Sequence, residues 1–237
     1  MPDTFYLIPS ALGEAPWACY LPVETRDIAC RLTHFVAENA KTARAELKRI
    51  GHPLPLREIA IEQLPEKPTA ADVERLLSPL LAGENLGLLS EAGCPAVADP
   101  GALLVRRAHT LGIMVKPLVG PSSLLLALMA SGLDGQRFAF HGYLPAREPE
   151  RSRRIAELDK ESGRLLQTQI FIEAPYRNSA MFDALLAACR PTTRLCIATD
   201  LTLTSEWIAS RTIADWRQEP HPDLDRRPTV FLLLSEG

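Results

Sequence analysis

Apolar residues along the chain fall into short strand-like runs separated by stretches of helical spacing, and the order of the two rhythms predicts the elements. Residues 4–9, TFYLIP, are aromatic and branched and closed by a proline, which predicts a strand. Residues 27–32 have helical character, and 34–38, HFVAE, make a second strand-type run. Asn39 or Thr42 is then placed to cap a polar helix over 43–50, which Gly51-His52-Pro53 stops. Residues 57–63, REIAIEQ, alternate charged and apolar side chains as a half-buried edge strand does. Thr69 and Asp72 have capping-box spacing, with aspartate in place of glutamate, ahead of a helix to residue 81. A strand at 86–89, a helix at 102–111 and a strand at 113–118 follow. Strand and helix in alternation need crossover connections, so this half predicts a mostly parallel sheet with flanking helices.

After Pro121 the rhythm changes. A buried helix at 124–131 leads to Phe138-Ala139-Phe140 and then to a charged segment of helical spacing, 147–164. A strand at 169–173, a helix at 176–189 and strand-type runs at 194–199, 206–212 and 229–234 complete the chain. Strands in succession predict a mixed α+β sheet. The expected fold is therefore α/β with two domains, 1–119 and 120–237.

Composition narrows the class. Of 237 residues, 46% are hydrophobic and 23% charged, an ordinary globular balance with enough chain for two domains. The net charge of −3 creates no global basic field, so a nucleic-acid partner would need a local patch. Five cysteines without a CxxC pair exclude a disulfide framework or zinc knuckle and predict free thiols in a reducing, cytoplasmic setting. The start, Met1-Pro2-Asp3, lacks the features of a signal peptide. Residues 117–133 carry no charge and approach the length of a membrane span, but Gly120-Pro121-Ser122-Ser123 divides them. They predict a strand end, a loop and a buried helix, and no membrane partner.

The chemistry concentrates at two junctions. Residues 90–101, SEAGCPAVADPG, pack small and turn-forming residues between a strand and a helix, where a backbone can approach a ligand closely. Gly120-Pro121-Ser122-Ser123 follows the next strand and opens a helix. In an open parallel sheet ligands gather outside such carboxyl ends. Neither loop has the GxGxxG or GxxxxGK[ST] pattern, which argues against a dinucleotide or P-loop nucleotide. Arg137, Arg147, Arg151, Arg153 and Arg154 outnumber Glu148 and Glu150, as either a solvated helix face or an RNA-backbone contact. Arg177, at a helix start, could hold a phosphate or pair with an acid. The five histidines have no metal-ligand spacing, and Trp17, Trp207 and Trp216 are too far apart to form a stacking platform in sequence.

Four ordered motifs, LLSEAGCPAVADPG, VKPLVGPSSLLLALMASGL, RFAFHGYLP and FIEAPYRN, resemble the tetrapyrrole methylase superfamily of S-adenosylmethionine-dependent methyltransferases. The nearest branch includes the bacterial 16S ribosomal RNA cytidine 2′-O-methyltransferase. The resemblance is densest over residues 86–180. It implies a two-domain fold with a cofactor cleft between the domains, a homodimer, and methyl transfer to a ribose 2′-hydroxyl of ribosomal RNA. A small-molecule methylase acting on a tetrapyrrole, and a non-catalytic S-adenosylmethionine-binding protein, stay open as alternatives.

Carried over residue by residue, the resemblance puts the cofactor turn on Gly93, Cys94 and Pro95, with Val97 beyond. Cysteine stands where the wider superfamily has an aspartate, so backbone groups would make that contact. Pro9, Ser122, Ser123, Glu173, Ala198, Leu201 and Thr229 match other cofactor positions. The first strand ends Ile8-Pro9-Ser10-Ala11-Leu12-Gly13 instead of a glycine-rich turn. The ribose-methylating branch carries Ala-Glu-Asp-Thr-Arg after its second strand; here the run reads Ala37-Glu38-Asn39-Ala40-Lys41-Thr42-Ala43-Arg44. Glu38, Arg44, Tyr176 and Arg177 are the implied substrate-side residues. Glu38, Glu91 and Asp99 are acids near the expected cleft, and none stands out as a catalytic base.

Overall fold

The structure, a computed structural model, describes residues 3–235. Met1 and Pro2, on which the leader reading partly rests, lie outside the described residues. The chain divides into two compact units, one ending at Ser122 and the other beginning at Ser123.

In the first unit, strands β1 (Thr4–Ile8), β2 (His34–Ala37), β3 (Ala60–Gln63), β4 (Leu86–Leu89) and β5 (Met114–Pro117) form one sheet in the order β3-β2-β4-β1-β5. Every neighbouring pair is parallel. Central parallel strands are covered on both faces, and the uninterrupted Leu-Gly-Leu-Leu of β4 is buried throughout. Gly87 is required there, because a Cβ would lie 2.7 Å from Phe35 Cδ1 and 2.8 Å from Ile8 Cδ1. One face packs Ile8, Phe35, Leu47 and Leu89; the other packs Phe5, Leu76, Leu86, Leu88 and Leu104.

The helices refine the expected boundaries. Helix α1 (Val23–Ala29) starts earlier than the sequence pattern predicts, because Pro22 sets its entry and Cys30 caps it. Asn39, not Thr42, caps α2 (Ala40–Arg49), accepting from the amides of Lys41 (2.9 Å) and Thr42 (3.3 Å). The edge strand is shorter than expected because Leu56–Glu58 coil into a 3-10 turn. Thr69 and Asp72 form the reciprocal capping box of α3 (Ala70–Leu76). The single helix expected to residue 81 breaks, since Pro79 has no amide to continue the ladder, and α4 (Ser78–Leu81) begins anew. Helix α5 (Gly101–Thr110) leads to β5.

In the second unit, β6 (Phe138–Tyr143), β7 (Thr168–Ile172), β8 (Arg194–Thr199), β9 (Trp207–Thr212) and β10 (Thr229–Leu234) lie in the order β6-β7-β10-β8-β9. Only β6 and β7 run parallel; the other pairs are antiparallel. Helices α6 (Ser123–Ser131), α7 (Glu150–Leu165), α8 (Asn178–Ala188) and the short α9 (Ile213–Trp216) complete the unit. Phe171 stacks on Phe231 at 5.7 Å, and Trp216 meets Phe182 edge-on at 5.5 Å while donating its indole N–H to the Leu195 carbonyl. Trp216 and Trp207 are thus packing residues. Helix α8 begins at Asn178 because Pro175–Arg177 form a 3-10 turn first. Helix α9 was not foreseen; Thr212 caps it by accepting from the Asp215 amide at 3.1 Å.

Helix α6 is a correction: expected to be buried, it leaves Leu125 52% and Met129 80% exposed. No helix among the described residues is long and apolar enough to cross a membrane.

Candidate functional site

In the first sheet β2 leads outward to β3 while β4 leads the other way, toward β5. Diverging connections open a crevice outside the carboxyl ends of adjacent strands. The residues at those ends are Glu38 after β2 and Ser90-Glu91 after β4.

The 90–101 loop is pinned at this place chiefly through main-chain groups. Ser10 and Gly93 exchange amide–carbonyl hydrogen bonds of 2.9 and 3.1 Å. Ser10 Oγ donates to the Ser90 carbonyl (2.8 Å), and Ser90 Oγ donates to that of Gly93 (2.7 Å). Cys94 Sγ lies 3.4 Å from the Pro121 carbonyl. Gly120 abuts Pro9 so tightly that a Cβ on it would meet Pro9 Cβ at 2.4 Å. Pro9, Gly93, Cys94 and the segment ending at Ser122 are therefore brought together; Pro95 is buried and Val97 exposed beside them.

The loop is strained. Gly93 sits at φ +71°, which glycine tolerates, but Ala96 (φ +64°) and Ala98 (φ +62°) occupy the same left-handed region. Each such residue costs about 1–3 kcal/mol and persists only where surrounding groups hold it. Asp99 is the holding group. Its carboxylate accepts the Ala96 amide at 2.9 and 3.0 Å and the Gly101 amide at 2.7 Å.

The acids here differ in state. Burial raises the Glu38 carboxyl above the ordinary carboxylate range, and the charges of Asp99 and Glu91 push the same way against a hydrogen bond from the Glu91 amide. Burial also raises Asp99, opposed by the amides of Gly101 and Ala96. Glu91 itself is exposed. Arg44 is exposed and turned back on the Ala40 carbonyl at 3.4 Å, outside this group.

A cavity of about 210 Å³ borders Ser10, Gly13, Thr42, Glu46, Ser90 and Glu91. Glu46, missed in the sequence, is buried in its wall, accepting from the Tyr20 hydroxyl at 2.6 Å and pairing with Arg49. Burial and that acceptor push the Tyr20 hydroxyl up. The three-residue spacing of Glu46 and Arg49 was the available sequence signal.

In the second unit Glu173, Ala198, Leu201 and Thr229 gather at one end of the sheet. Thr229 opposes Thr199, and Val230 opposes Ala198 on one side and Ile172 on the other. Glu173 follows Ile172, and its side chain is 0% exposed. Its Oε1 accepts from Arg177 Nη2 (2.6 Å) and Nε (2.9 Å) and from the Ala174 amide (2.6 Å). Its Oε2 has no hydrogen-bond partner among the described residues. Arg177 thus pairs with an acid. Asn178, also unforeseen, is buried and donates Nδ2 to Thr229 Oγ1 (3.0 Å) and the Arg227 carbonyl (2.7 Å), while its Oδ1 likewise has none among the described residues. Two buried acceptors without donors are exceptions that a bound donor-rich ligand would remove. Just past β8, Asp200 (φ +51°) and Thr202 (φ +72°) flank the buried Leu201, and Asp200 is held by Arg227 Nε at 2.8 Å.

Two of the arginines in the basic segment pair with acids, Arg151 with Glu148 (2.8 Å) and Arg154 with Glu157 (3.3 Å). Arg147 and Arg153 have no ion pair among the described residues. A wider cavity of about 520 Å³, bordered by Trp207, Arg211, Trp216 and His221, contains none of the expected site residues.

Residues 20–216 match the family model for Tetrapyrrole (Corrin/Porphyrin) Methylases. A protein of Xylella fastidiosa named Ribosomal RNA small subunit methyltransferase I is 32% identical over 236 residues, covering 100% of this chain and 82% of the relative. The protein of the same name from Pseudomonas aeruginosa is 39% identical over 163 residues, 69% of this chain and 56% of the relative. Among solved structures, the methyltransferase CobJ superposes with a TM-score of 0.63 at 15% identity, covering 99% of this chain and 95% of that one, a likeness of fold.

Proposed function

This chain belongs to the tetrapyrrole (corrin/porphyrin) methylase family and is a methyltransferase; we propose that its donor is S-adenosylmethionine and its acceptor a ribose 2′-hydroxyl of ribosomal RNA. The observation that carries this reading is the similarity, over the whole of this chain, to a ribosomal RNA small subunit methyltransferase.

The residues present fit the cofactor. When bound, S-adenosylmethionine supplies an electrophilic methyl group on a sulfonium sulfur. Its ammonium, ribose hydroxyls and adenine amine are donors of the kind that Glu173 Oε2 and Asn178 Oδ1 lack. In the first unit the main chain around Gly93 and Cys94 carries the contact. Burial raises the Cys94 thiol, so it stays neutral and brings no charge of its own. Pro9, Pro95, Val97 and Ser122 are the further candidates of the first unit, and Ser123, Ala198, Leu201 and Thr229 those of the second.

The chain's own chemistry is alignment, exclusion of water and acceptance of one proton. Glu38 would accept the proton of the ribose hydroxyl. Two observations favour Glu38 over the other acids: the Asp99 carboxylate is occupied by the amides of Ala96 and Gly101, and Glu91 is exposed. A half-buried carboxylate with a raised pKa is the stronger base while ionised. We place the enzyme in the cytoplasm as a homodimer; the five free thiols suit a reducing compartment, and the exposed Leu125 and Met129 of α6 suit burial against a second copy.

Calorimetric titration of S-adenosylmethionine and S-adenosylhomocysteine into the protein, with Gly93→Arg as control, tests the cofactor. Binding to the wild type and none to the variant is the expected result. No heat at millimolar ligand would remove the methyltransferase reading from this site.

A further inference from the structure

Of the four tyrosines, Tyr20 is buried and Tyr6 partly so, yet two at one corner of the second unit are exposed. Tyr143, the last residue of β6, is 63% exposed, and Tyr176, in the turn after β7, is 70% exposed. The parallel register pairs Tyr143 with Ile172, one residue before Glu173, so both rings belong to the same end of the sheet. Arg177 lies against Tyr176. Its guanidinium carbon is 5.1 Å from the centre of the Tyr176 ring, and its Nη1 donates to the Tyr176 hydroxyl at 3.0 Å. Two bonds to the buried Glu173 fix the orientation of the guanidinium plane.

We propose that Tyr143, Arg177 and Tyr176 form a stacking platform for unpaired bases of an RNA single strand. The proposal rests on the reading of the chain as an RNA methyltransferase and says which form of RNA it grips, and with which residues. Planar side chains and arginine guanidinium planes bind splayed bases through their faces, largely regardless of sequence. A duplex keeps those faces stacked inside and offers none to the tyrosines.

The neighbouring charge fits the same occupant. The segment from Arg137 to Arg154 carries five arginines against two glutamates. With Arg151 and Arg154 paired, Arg147 and Arg153 remain exposed and without acidic partners among the described residues, in the segment that follows Tyr143. Cations beside a stacking surface neutralise phosphates of the strand whose bases are stacked.

The test uses the full chain and a fluorescently labelled oligocytidylate ribonucleotide, single-stranded or annealed to its complement. Wild type should bind the single strand more tightly than the duplex. The double variant Tyr143→Ala/Tyr176→Ala should lose roughly ten- to hundredfold in affinity, while Tyr143→Phe/Tyr176→Phe keeps the rings and most of the binding. Arg147→Gln/Arg153→Gln should flatten the salt dependence and leave the single-strand preference in place. Calorimetry with S-adenosylmethionine on each variant confirms that it is folded. Equal affinity for single strand and duplex, or an alanine variant that binds like wild type, overturns the platform. If wild type still methylates ribosomal RNA in that case, the platform fails and the enzymatic reading stands. If wild type neither methylates ribosomal RNA nor binds the oligonucleotide, the reading fails with it, and the corner becomes a candidate protein contact.

Discussion

The two candidate regions are built from opposite materials. At the strand ends of the first unit the contacts engage the main chain: Ser10 with Gly93, Pro9 against Gly120, and Asp99 accepting the amides of Ala96 and Gly101. At the sheet end of the second unit the contacts are side chains: Glu173 with Arg177, Asn178 with Thr229, Asp200 with Arg227. A backbone-built site is sensitive to geometry and indifferent to most side-chain changes, whereas a side-chain-built site is sensitive to single atoms. Glu38 is the exception in the first region, a lone side chain whose chemistry matters.

That exception gives the largest expected effect. Glu38→Gln removes the proposed proton acceptor and should lower the rate of methyl transfer about 10²–10⁴-fold with cofactor binding unchanged. The same variant should unfold at a higher temperature near neutral pH. The sign follows from the raised Glu38 pKa, which means that folding disfavours its ionised form. Whatever stability this group contributes is present below its unfolded pKa and is lost as pH rises through the folded one. Neutral glutamine does not suffer that loss, so its advantage should shrink on acidification. In the wild type, activity should fall as pH drops through the Glu38 pKa. Glu91→Gln deletes one of the charges raising it, so the acid limb should move to lower pH. A Glu38→Gln enzyme with undiminished turnover would leave the first region without a proton acceptor, its role confined to the cofactor.

The second region should respond at the level of binding and stability. Glu173→Gln keeps the shape and removes the charge that orders Arg177 and the Ala174 amide. Breaking a buried pair by removing one partner costs about 3–5 kcal/mol, less here because Arg177 can turn toward solvent. A lowered unfolding temperature, together with a loss of cofactor affinity of roughly tenfold, is expected from thermal denaturation and calorimetry. If affinity is intact, Oε2 has no ligand to receive, and only Asn178 remains as an orphaned acceptor.

These differences also explain what could be read along the chain. Elements set by local chemistry were legible: the capping box at Thr69, the apolar run of β4, the turn-forming residues of the 90–101 loop. Boundaries decided by single residues were not, as when Pro79 splits one predicted helix and Pro22 moves another forward. The main-chain loop was visible because small residues cluster in sequence where a backbone must approach something. Glu38 was visible as an acid at a strand end, but its advantage over Glu91 and Asp99 was not. That advantage depends on which oxygens other amides occupy, and this is a tertiary fact. Asn178 escaped for the same reason, since its partners Thr229 and the Arg227 carbonyl are remote in sequence, as is the Tyr20 hydroxyl that reaches Glu46. The two exposed tyrosines stand 33 positions apart and come to the same end of the sheet only through the β6–β7 pairing.

The smallest expected effect tests the comparison most directly. Cys94 stands in the tightest part of the first region, where an acid is the usual occupant by resemblance, and its thiol makes one weak contact, 3.4 Å to the Pro121 carbonyl. If the main chain carries the cofactor contact, Cys94→Ala should change S-adenosylmethionine affinity by less than about twofold, within the ±0.5 kcal/mol usual for a substitution that removes no strong interaction. The loop geometry would persist, because Asp99 and the Ser10–Gly93 exchange hold it without help from the thiol. A tenfold loss in calorimetry, with the unfolding temperature unchanged, would mean that the thiol itself contacts the ligand. The first region would then be a side-chain site like the second, and the tolerance of cysteine at this position would need a chemical reason in place of a geometric one.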